Sequence, residues 1–240
     1  MKLVICAGPA TTGKTSVLRH IISKLRVKGQ TAAFLKIDVQ YAEEDELLAK
    51  EFGIPTHKVY SGELCPDHCN VMVLGDALTW ARKNSCDVLL VETAGLCLRC
   101  SPYVDGGLGI VVLEATSGMN LPLKVGPMLS LADVAVVTKI DRVSQAEREV
   151  FRARIQEVAP EVRIREVNAL YGIGIDPLVD LVSASPEIHF DSNDHPEMLL
   201  LRGSPPVGTC TICVGKKEIG WQSHFGVVRP LENQMFYRGE

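Results

Sequence analysis

Eight residues near the amino terminus form a pattern that binds phosphate. They run Gly8-Pro9-Ala10-Thr11-Thr12-Gly13-Lys14-Thr15 and match GxxxxGK[ST]. Such a loop curls so that backbone N–H groups point at phosphate oxygens, and the helix that starts there adds the positive end of its dipole. Lys14 is expected to reach the β and γ phosphates, and the Thr15 hydroxyl to ligate Mg²⁺. The alternative is a glycine-rich turn that only links a strand to a helix. The predicted phosphate-binding residues are Gly8, Thr12, Gly13, Lys14, Thr15 and Ser16.

A second polar pattern predicts which base is bound. Thr138-Lys139-Ile140-Asp141 follows an apolar run and is a TKxD variant of the NKxD loop. A carboxylate there can accept hydrogen bonds from both N1 and N2 of guanine, whereas adenine offers no such pair of donors. We therefore predict that GTP is bound in preference to ATP. The predicted base-contacting residues are Lys139, Asp141 and, at the end of a later strand, Asn168. A Lys and an Asp on an ordinary loop are the alternative.

Two acidic residues are placed to act near the terminal phosphate. Asp38 ends a predicted strand, where a carboxylate could hold Mg²⁺ or orient the attacking water; helix capping is the alternative. Glu92 ends another strand and could hold a magnesium-bound water, while the backbone N–H of Gly95 could approach the γ phosphate. The predicted catalytic residues are Lys14, Asp38 and Glu92, and the predicted magnesium ligands are Thr15, Asp38 and Glu92.

Clustered cysteines indicate a second kind of chemistry. Cys65, His68 and Cys69 lie within five residues, and Cys97 and Cys100 follow directly after the Glu92 to Gly95 segment. Thiolate and imidazole ligands suit zinc, nickel and copper and disfavour Mg²⁺ and Ca²⁺. We therefore predict a transition-metal site whose thiols move with the segment that senses the γ phosphate. The alternative is that these cysteines are small core or helix-capping residues.

A third cysteine pair lies near the carboxyl terminus. Cys210 and Cys213 have CxxC spacing, which we predict to bind metal, but a structural zinc needs four ligands and His224 is the additional candidate nearby. A partner subunit or the other cysteine loops could complete the set. The pair could instead be a redox dithiol or two buried thiols in a small hairpin.

The elements that must position these residues alternate between strand and helix over residues 1–185. Apolar runs predict strands at 3–7, 32–37, 87–91, 109–113, 134–137 and 162–167; helical spacing predicts helices at 16–26, 43–51, 71–82, 145–158 and 177–182. This alternation is typical of an α/β P-loop NTPase with a doubly wound, mostly parallel sheet. A polar connector then predicts a boundary, with residues 1–185 as the GTPase domain and 186–240 as a small cysteine-containing extension.

Composition excludes several classes of protein. In 240 residues, 46% hydrophobic and 22% charged residues are typical of a globular chain, which excludes disorder. A net charge of −4 gives no electrostatic footprint for nucleic acid or an anionic membrane. No apolar stretch reaches the roughly 18 residues of a membrane helix. We therefore expect a cytoplasmic protein with neither nucleic acid nor membrane as a partner.

Taken together, the motifs resemble the nickel-insertion GTPases of the SIMIBI class, namely the urease accessory GTPase and the hydrogenase maturation GTPase. Cys65-Pro66-Asp67-His68 resembles the Cys-Pro-His motif of the urease protein with one residue inserted, and Glu92-Thr93-Ala94-Gly95 resembles its Glu-Ser-Gly-Gly. The segment 36–45 is similar to its switch segment, and Cys100 falls where the hydrogenase protein has a metal-binding cysteine. The resemblance covers about residues 1–185. It implies slow GTP hydrolysis, a nucleotide-dependent homodimer and nickel at the dimer interface.

The chain also departs from those relatives. Thr138 replaces the usual Asn, Asp67 is inserted before His68, and Cys69 and Cys97 add thiols. The metal could therefore be nickel, zinc or an iron–sulfur species.

Our leading hypothesis is a GTP-hydrolysing metallochaperone that uses GTP, Mg²⁺ and a transition metal, Ni²⁺ or Zn²⁺, and serves a client metalloenzyme or its accessory proteins. The alternatives are a P-loop small-molecule kinase with structural zinc and a non-catalytic metal- or redox-sensing nucleotide switch.

Overall fold

A seven-stranded parallel sheet forms the centre of the structure, which is a computed structural model. It describes residues 1–39, 42–61, 66–94, 100–189, 199–204 and 216–220, and only the backbone of Asp67 and His68. The strands in these residues are β1 (Lys2–Ala7), β2 (Ala32–Asp38), β3 (Thr56–Tyr60), β4 (Val88–Glu92), β5 (Leu108–Glu114), β6 (Val134–Thr138) and β7 (Arg163–Glu166). Their order across the sheet is β3-β2-β4-β1-β5-β6-β7, and all neighbours are parallel.

Helices cover both faces of this sheet. They are α1 (Lys14–Val27), α2 (Glu44–Phe52), α3 (Pro66–Lys83), α4 (Leu121–Lys124), α5 (Gly126–Ser130), α6 (Gln145–Val158) and α7 (Asp176–Ala184). Successive residues of a strand point to opposite faces. In β1, Leu3 and Ile5 pack in the core beneath α3 and α6, whereas Val4 and Cys6 pack in the core beneath α1 and α7. The predicted doubly wound α/β fold is confirmed.

The strand order places the ends of several strands around one crevice. The chain places β2 and β3 on one side of β1, returns to insert β4 between β2 and β1, and then adds β5, β6 and β7 on the other side. In such sheets a crevice lies at the carboxyl edge where the order changes direction. The phosphate-binding loop follows β1 at this edge. Asp38, Glu92 and Thr138 are the last residues of β2, β4 and β6, so the parallel sheet gathers them at the same edge.

Each of the six predicted strands is present, but β3 was not predicted. Its sequence, Thr-His-Lys-Val-Tyr, buries only Val59, because β3 is an edge strand. The opposite edge strand, β7, is similarly polar and reads Arg-Ile-Arg-Glu. The two short helices α4 and α5 were also not predicted.

The predicted start of the third helix was wrong. Helix α3 begins at Pro66, not at Val71. Its first turn is polar and shows no apolar periodicity, but proline is favoured at the first helical position, where its missing N–H costs no hydrogen bond. The backbone of His68 and Cys69 therefore belongs to a helix and not to a loop.

The described parts of the carboxyl-terminal extension pack on the main domain. Leu201 is 2% exposed in the core and forms an antiparallel bridge with Val104. Arg202 donates to the carbonyl oxygens of Val104, Leu131 and Gly107, and to Asp133 Oδ2 at 2.8 Å. These contacts tie residues 199–204 to the domain, and the boundary at residues 185–186 stays a prediction.

Within the described ranges, none of the helices has both the length and the apolar composition that crossing a bilayer requires.

We expect Leu201→Ala to lower the free energy of unfolding by about 2–5 kcal/mol, because it leaves a cavity in the shared core. Urea unfolding followed by circular dichroism measures this change. Leu47→Ala is the matched control: Leu47 is 61% exposed on α2, and its truncation should change stability by less than about 0.5 kcal/mol. Equal effects of the two substitutions would show that residues 199–204 do not contribute to the core.

Candidate functional site

The phosphate-binding loop has the backbone that its glycines allow. Gly8 has φ +144°, and a Cβ there would lie 2.2 Å from the carbonyl oxygen of Val112. Gly13, with φ +90°, leads directly into α1. The first N–H groups of α1 have no partners within the helix, so this end of α1 suits an anion.

Lys14 lies across the loop. Its Nζ atom donates to the carbonyl oxygens of Gly8 at 3.0 Å and Pro9 at 2.9 Å. Burial lowers the pKa of Lys14, although the Glu92 carboxylate opposes that shift. The ammonium therefore already lies on the loop, and a bound phosphate would have to compete with two carbonyl groups for it. Ser16, in the first turn of α1, is exposed.

The predicted magnesium ligands lie around one buried carboxylate. Thr15 Oγ1 donates to Glu92 Oε2 at 2.8 Å, and Glu92 is 2% exposed. Lys36, which was not predicted as a site residue, donates from Nζ to Glu92 Oε1 at 2.6 Å. Asp38 Oδ2 lies 3.5 Å from the same Nζ. Alternation along β2 places Lys36 and Asp38 on one face, which is a signal that sequence inspection could have used.

The charges in this cluster stabilise one another. Burial is the largest single influence and lowers the pKa of Lys36, but the carboxylates of Glu92, Glu44 and Asp38 together outweigh it and raise that pKa above its ordinary value. The donor set of one hydroxyl and two carboxylates, Thr15, Asp38 and Glu92, consists of hard oxygen ligands. Mg²⁺ prefers such ligands, so the residues present fit a magnesium ion.

Two loops predicted to contact the base border the phosphate-binding loop. A Cβ at Gly13 would lie 3.9 Å from both the Ala169 Cβ and the Thr138 Cγ2 atoms. Thr138 is buried and donates from Oγ1 to the Thr12 carbonyl oxygen at 2.7 Å, so the Thr that replaces the usual Asn fastens β6 to the phosphate loop. Asp141 is exposed in the short 3₁₀ turn that follows.

Each base loop is held by a contact that the motifs did not reveal. Lys139 has φ +56°, and its ammonium pairs with Glu114 at the end of β5. Asn168 Oδ1 accepts hydrogen bonds from the backbone N–H groups of Leu170 and Tyr171, which fixes the turn after β7. His20 of α1 contacts the Ala169 carbonyl oxygen through Nε2 at 3.0 Å.

The described residues include only part of the predicted transition-metal site. Cys65, Gly95, Cys97, Cys210, Cys213 and the side chain of His68 lie outside the described residues. Cys69 is 3% exposed in the hydrophobic core, and burial raises the pKa of its thiol to about 12. Its position favours the alternative of a small core residue. Among the described residues, no group of three or more His, Cys, Asp and Glu side chains could hold a metal ion.

The residues that directly follow the two cysteine segments contact each other. Asn70 on α3, just after Cys69, donates from Nδ2 to the Pro102 carbonyl oxygen at 3.4 Å, two residues after Cys100. Within the described ranges, four buried side-chain oxygens beside these segments have no hydrogen-bond partner: Ser61 Oγ, Asn70 Oδ1, Thr93 Oγ1 and Ser101 Oγ. Such groups are costly to bury unpaired.

A phosphate-binding loop after the central strand of a doubly wound parallel sheet, with acidic residues at the neighbouring strand ends, defines a P-loop nucleotide-binding protein. Residues 2–166 match the model of the CobW/HypB/UreG nucleotide-binding domain, and the chain belongs to that P-loop NTPase family.

The chain is similar in sequence to two other proteins and in fold to one solved structure. An uncharacterized protein of Methanocaldococcus jannaschii is 43% identical over the full length of both chains. The urease accessory protein UreG 2 of Methylobacterium radiotolerans is 28% identical over 73% of this chain and 89% of its own. The crystal structure of HypB from Helicobacter pylori in complex with nickel has a TM-score of 0.63 at 19% identity, covering 80% of this chain and 92% of that one.

We expect Cys69 to resist alkylation by iodoacetamide in the folded, metal-free protein. With a thiol pKa of about 12, the reactive thiolate is about one in ten thousand of the population at pH 8 and becomes abundant only as the pH approaches 12. Cys100, which is partly exposed, should react first. Peptide mass spectrometry after timed quenching measures both residues, and equal rates would contradict the core placement of Cys69.

Proposed function

We propose that this chain is a GTP-hydrolysing metallochaperone that binds nickel or zinc through its Cys and His segments and delivers it to a client metalloenzyme or its accessory proteins. The observation that carries this proposal is the position of Glu92. Its carboxylate contacts the Thr15 hydroxyl in the phosphate site. In the sequence, Glu92 lies a few residues before the segment that contains Cys97 and Cys100. A change at the γ phosphate can therefore reach the thiols through a short piece of chain.

The charged groups at the crevice support binding and hydrolysis of GTP. A triphosphate would draw Lys14 from the carbonyl groups of Gly8 and Pro9 and accept N–H donors at the start of α1. The exposed Asp141 carboxylate would accept from N1 and N2 of guanine. Asp38 would orient the attacking water. Thr15, Asp38 and Glu92 would hold Mg²⁺, which when bound neutralises charge on the β and γ phosphates.

The metal is cargo in this proposal. Cys65, His68, Cys97 and Cys100 are the proposed ligands, with Cys210 and Cys213 as a second pair. The contact between Asn70 and Pro102 supports a common location for the first two segments, because it joins the chain just beyond each of them. The buried oxygens there that have no partner among the described residues are consistent with a region that rearranges when it is occupied.

Two of the named proteins support this class of function. One is named as a urease accessory protein, and one solved structure contains nickel. We also propose, from the resemblance stated above, that this chain forms a homodimer with nucleotide, and we propose that it acts in the cytoplasm.

We expect the affinity for Ni²⁺ or Zn²⁺ to differ between nucleotide-free protein and protein bound to a non-hydrolysable GTP analogue. The coupling typical of linked sites corresponds to a change of roughly 5- to 150-fold. Isothermal titration with each metal, with and without the analogue, measures it. Equal affinities in both states would refute the delivery mechanism.

We expect Cys65→Ala to reduce the bound metal. The matched control is Cys86→Ala, since Cys86 is a buried cysteine just before β4, at the sheet edge opposite the crevice. Elemental analysis of the two purified variants compares them, and equal metal content would exclude Cys65 as a ligand.

We expect single-turnover hydrolysis of GTP to be faster than that of ATP. Asp38→Ala should slow GTP hydrolysis roughly 100-fold because the attacking water loses its orienting group, while leaving the preference for GTP unchanged. Asp141→Asn should instead reduce that preference. A rate unaffected by Asp38→Ala would favour a nucleotide switch without turnover.

A further inference from the structure

Lys36 is the central cation of the acidic cluster at the crevice. Its side chain is 5% exposed, and three carboxylates surround its Nζ atom. Glu92 Oε1 is 2.6 Å away, Asp38 Oδ2 is 3.5 Å away and Glu44 Oε1 is 3.7 Å away. The Lys36 ammonium is therefore the counter-ion of three carboxylates, and the closest of them, Glu92, is the most deeply buried.

The sheet register fixes the closest pair. Lys36 and Glu92 are direct partners across β2 and β4. A buried carboxylate is strongly destabilised unless a positive charge and hydrogen bonds compensate for the lost hydration. Lys36 and Thr15 supply these to Glu92.

A magnesium ion in the same cluster would compete with Lys36. Glu92 and Asp38 are two of the three proposed magnesium ligands, and both face the Lys36 ammonium. A divalent cation repels an ammonium held against the same oxygens, and the repulsion is strong where water is excluded. Lys36 therefore needs a different acceptor when Mg²⁺ and nucleotide are bound.

Glu44 offers that acceptor. It is the first residue of α2, and its carboxylate already lies within ion-pair distance of Lys36. Its second oxygen, Oε2, is buried and has no hydrogen-bond partner among the residues that the structure describes. An unpaired buried oxygen beside a buried ammonium is poised to accept a hydrogen bond at little cost.

We propose that Lys36 is an internal counter-ion that exchanges partners, pairing with Glu92 in nucleotide-free protein and with Glu44 when Mg²⁺ and nucleotide occupy the crevice. This inference rests on the proposed nucleotide site and adds a positioning residue to it. The exchange links the occupied site to the start of α2, because the ion pair of Lys36 with Glu44, now 3.7 Å long, becomes a direct hydrogen bond only in the loaded state.

The first test uses Glu44→Gln, a change at a partly exposed residue that should leave the fold intact. It should weaken binding of the Mg²⁺-bound GTP analogue about tenfold, because a charged hydrogen bond formed only in that state is lost. Binding of the same analogue in EDTA should not change. Glu46→Gln is the matched control on the same helix, since Glu46 pairs with Lys58 at 2.6 Å.

The second test measures Mg²⁺ alone, without nucleotide, by thermal denaturation. Millimolar Mg²⁺ should leave the Tm of the wild-type protein nearly unchanged and raise that of Lys36→Met, in which Glu92 has lost its cation. Lys36→Met/Glu92→Gln should lose the rise. Lys58→Met is the control, because Lys58 is the register partner of Lys36 on β3 but pairs at the surface.

The outcomes separate the two proposals. If the wild-type protein does not bind the GTP analogue, the proposed function is wrong. If the analogue binds but Glu44→Gln behaves like Glu46→Gln, the exchange of partners is wrong and the proposed function stands. If Lys36→Met fails to fold, the Glu44→Gln comparison still decides. A Mg²⁺ response in Lys36→Met no larger than in Lys58→Met would also overturn the inference.

Discussion

The buried charge of Glu92 is the constraint on which the arrangement of the crevice depends. A carboxylate that is 2% exposed must find its counter-charge inside the protein. The partners come from two other elements, Lys36 from β2 and Thr15 from α1, and the sheet register holds Lys36 directly opposite. The stability of the fold and the chemistry of the crevice therefore depend on the same contacts. Lys36 and Thr15 stabilise the buried Glu92 carboxylate, and a bound cation and triphosphate would rearrange both of them.

The same carboxylate lies at the junction of two chemistries. On one side the oxygen donors and Lys14 suit a nucleotide and a hard cation. On the other, the chain continues toward soft sulfur donors, which select a different kind of metal ion. In the proposed function, this shared strand end would couple nucleotide to metal without a separate domain or a long relay of contacts.

Much of the fold could be predicted from sequence because the inner strands are apolar and the phosphate motif fixes their context. Strand β3 could not, since a polar edge strand buries a single side chain, Val59. The start of α3 was missed because its first turn carries no apolar periodicity. The phosphate loop and the base loops border one another in the structure. Lys36, Glu114 and His20 contact neighbours that are distant in sequence, and only the folded chain reveals such pairs. The sequence also could not decide whether Cys69 is a metal ligand or a core residue. That depends on α3 beginning at Pro66, which places the Cys69 thiol in the core.

The polar edge strands described above also limit how copies of this protein can associate. An edge strand with free N–H and C=O groups can recruit another chain into a continuous sheet, and charged side chains oppose such growth. Among the described strands, one edge presents Lys58, and the other presents Arg163, Arg165 and Glu166. Joining like edges would place similar charges against one another, so self-association should use helices and crevice loops and leave the sheet at its present width.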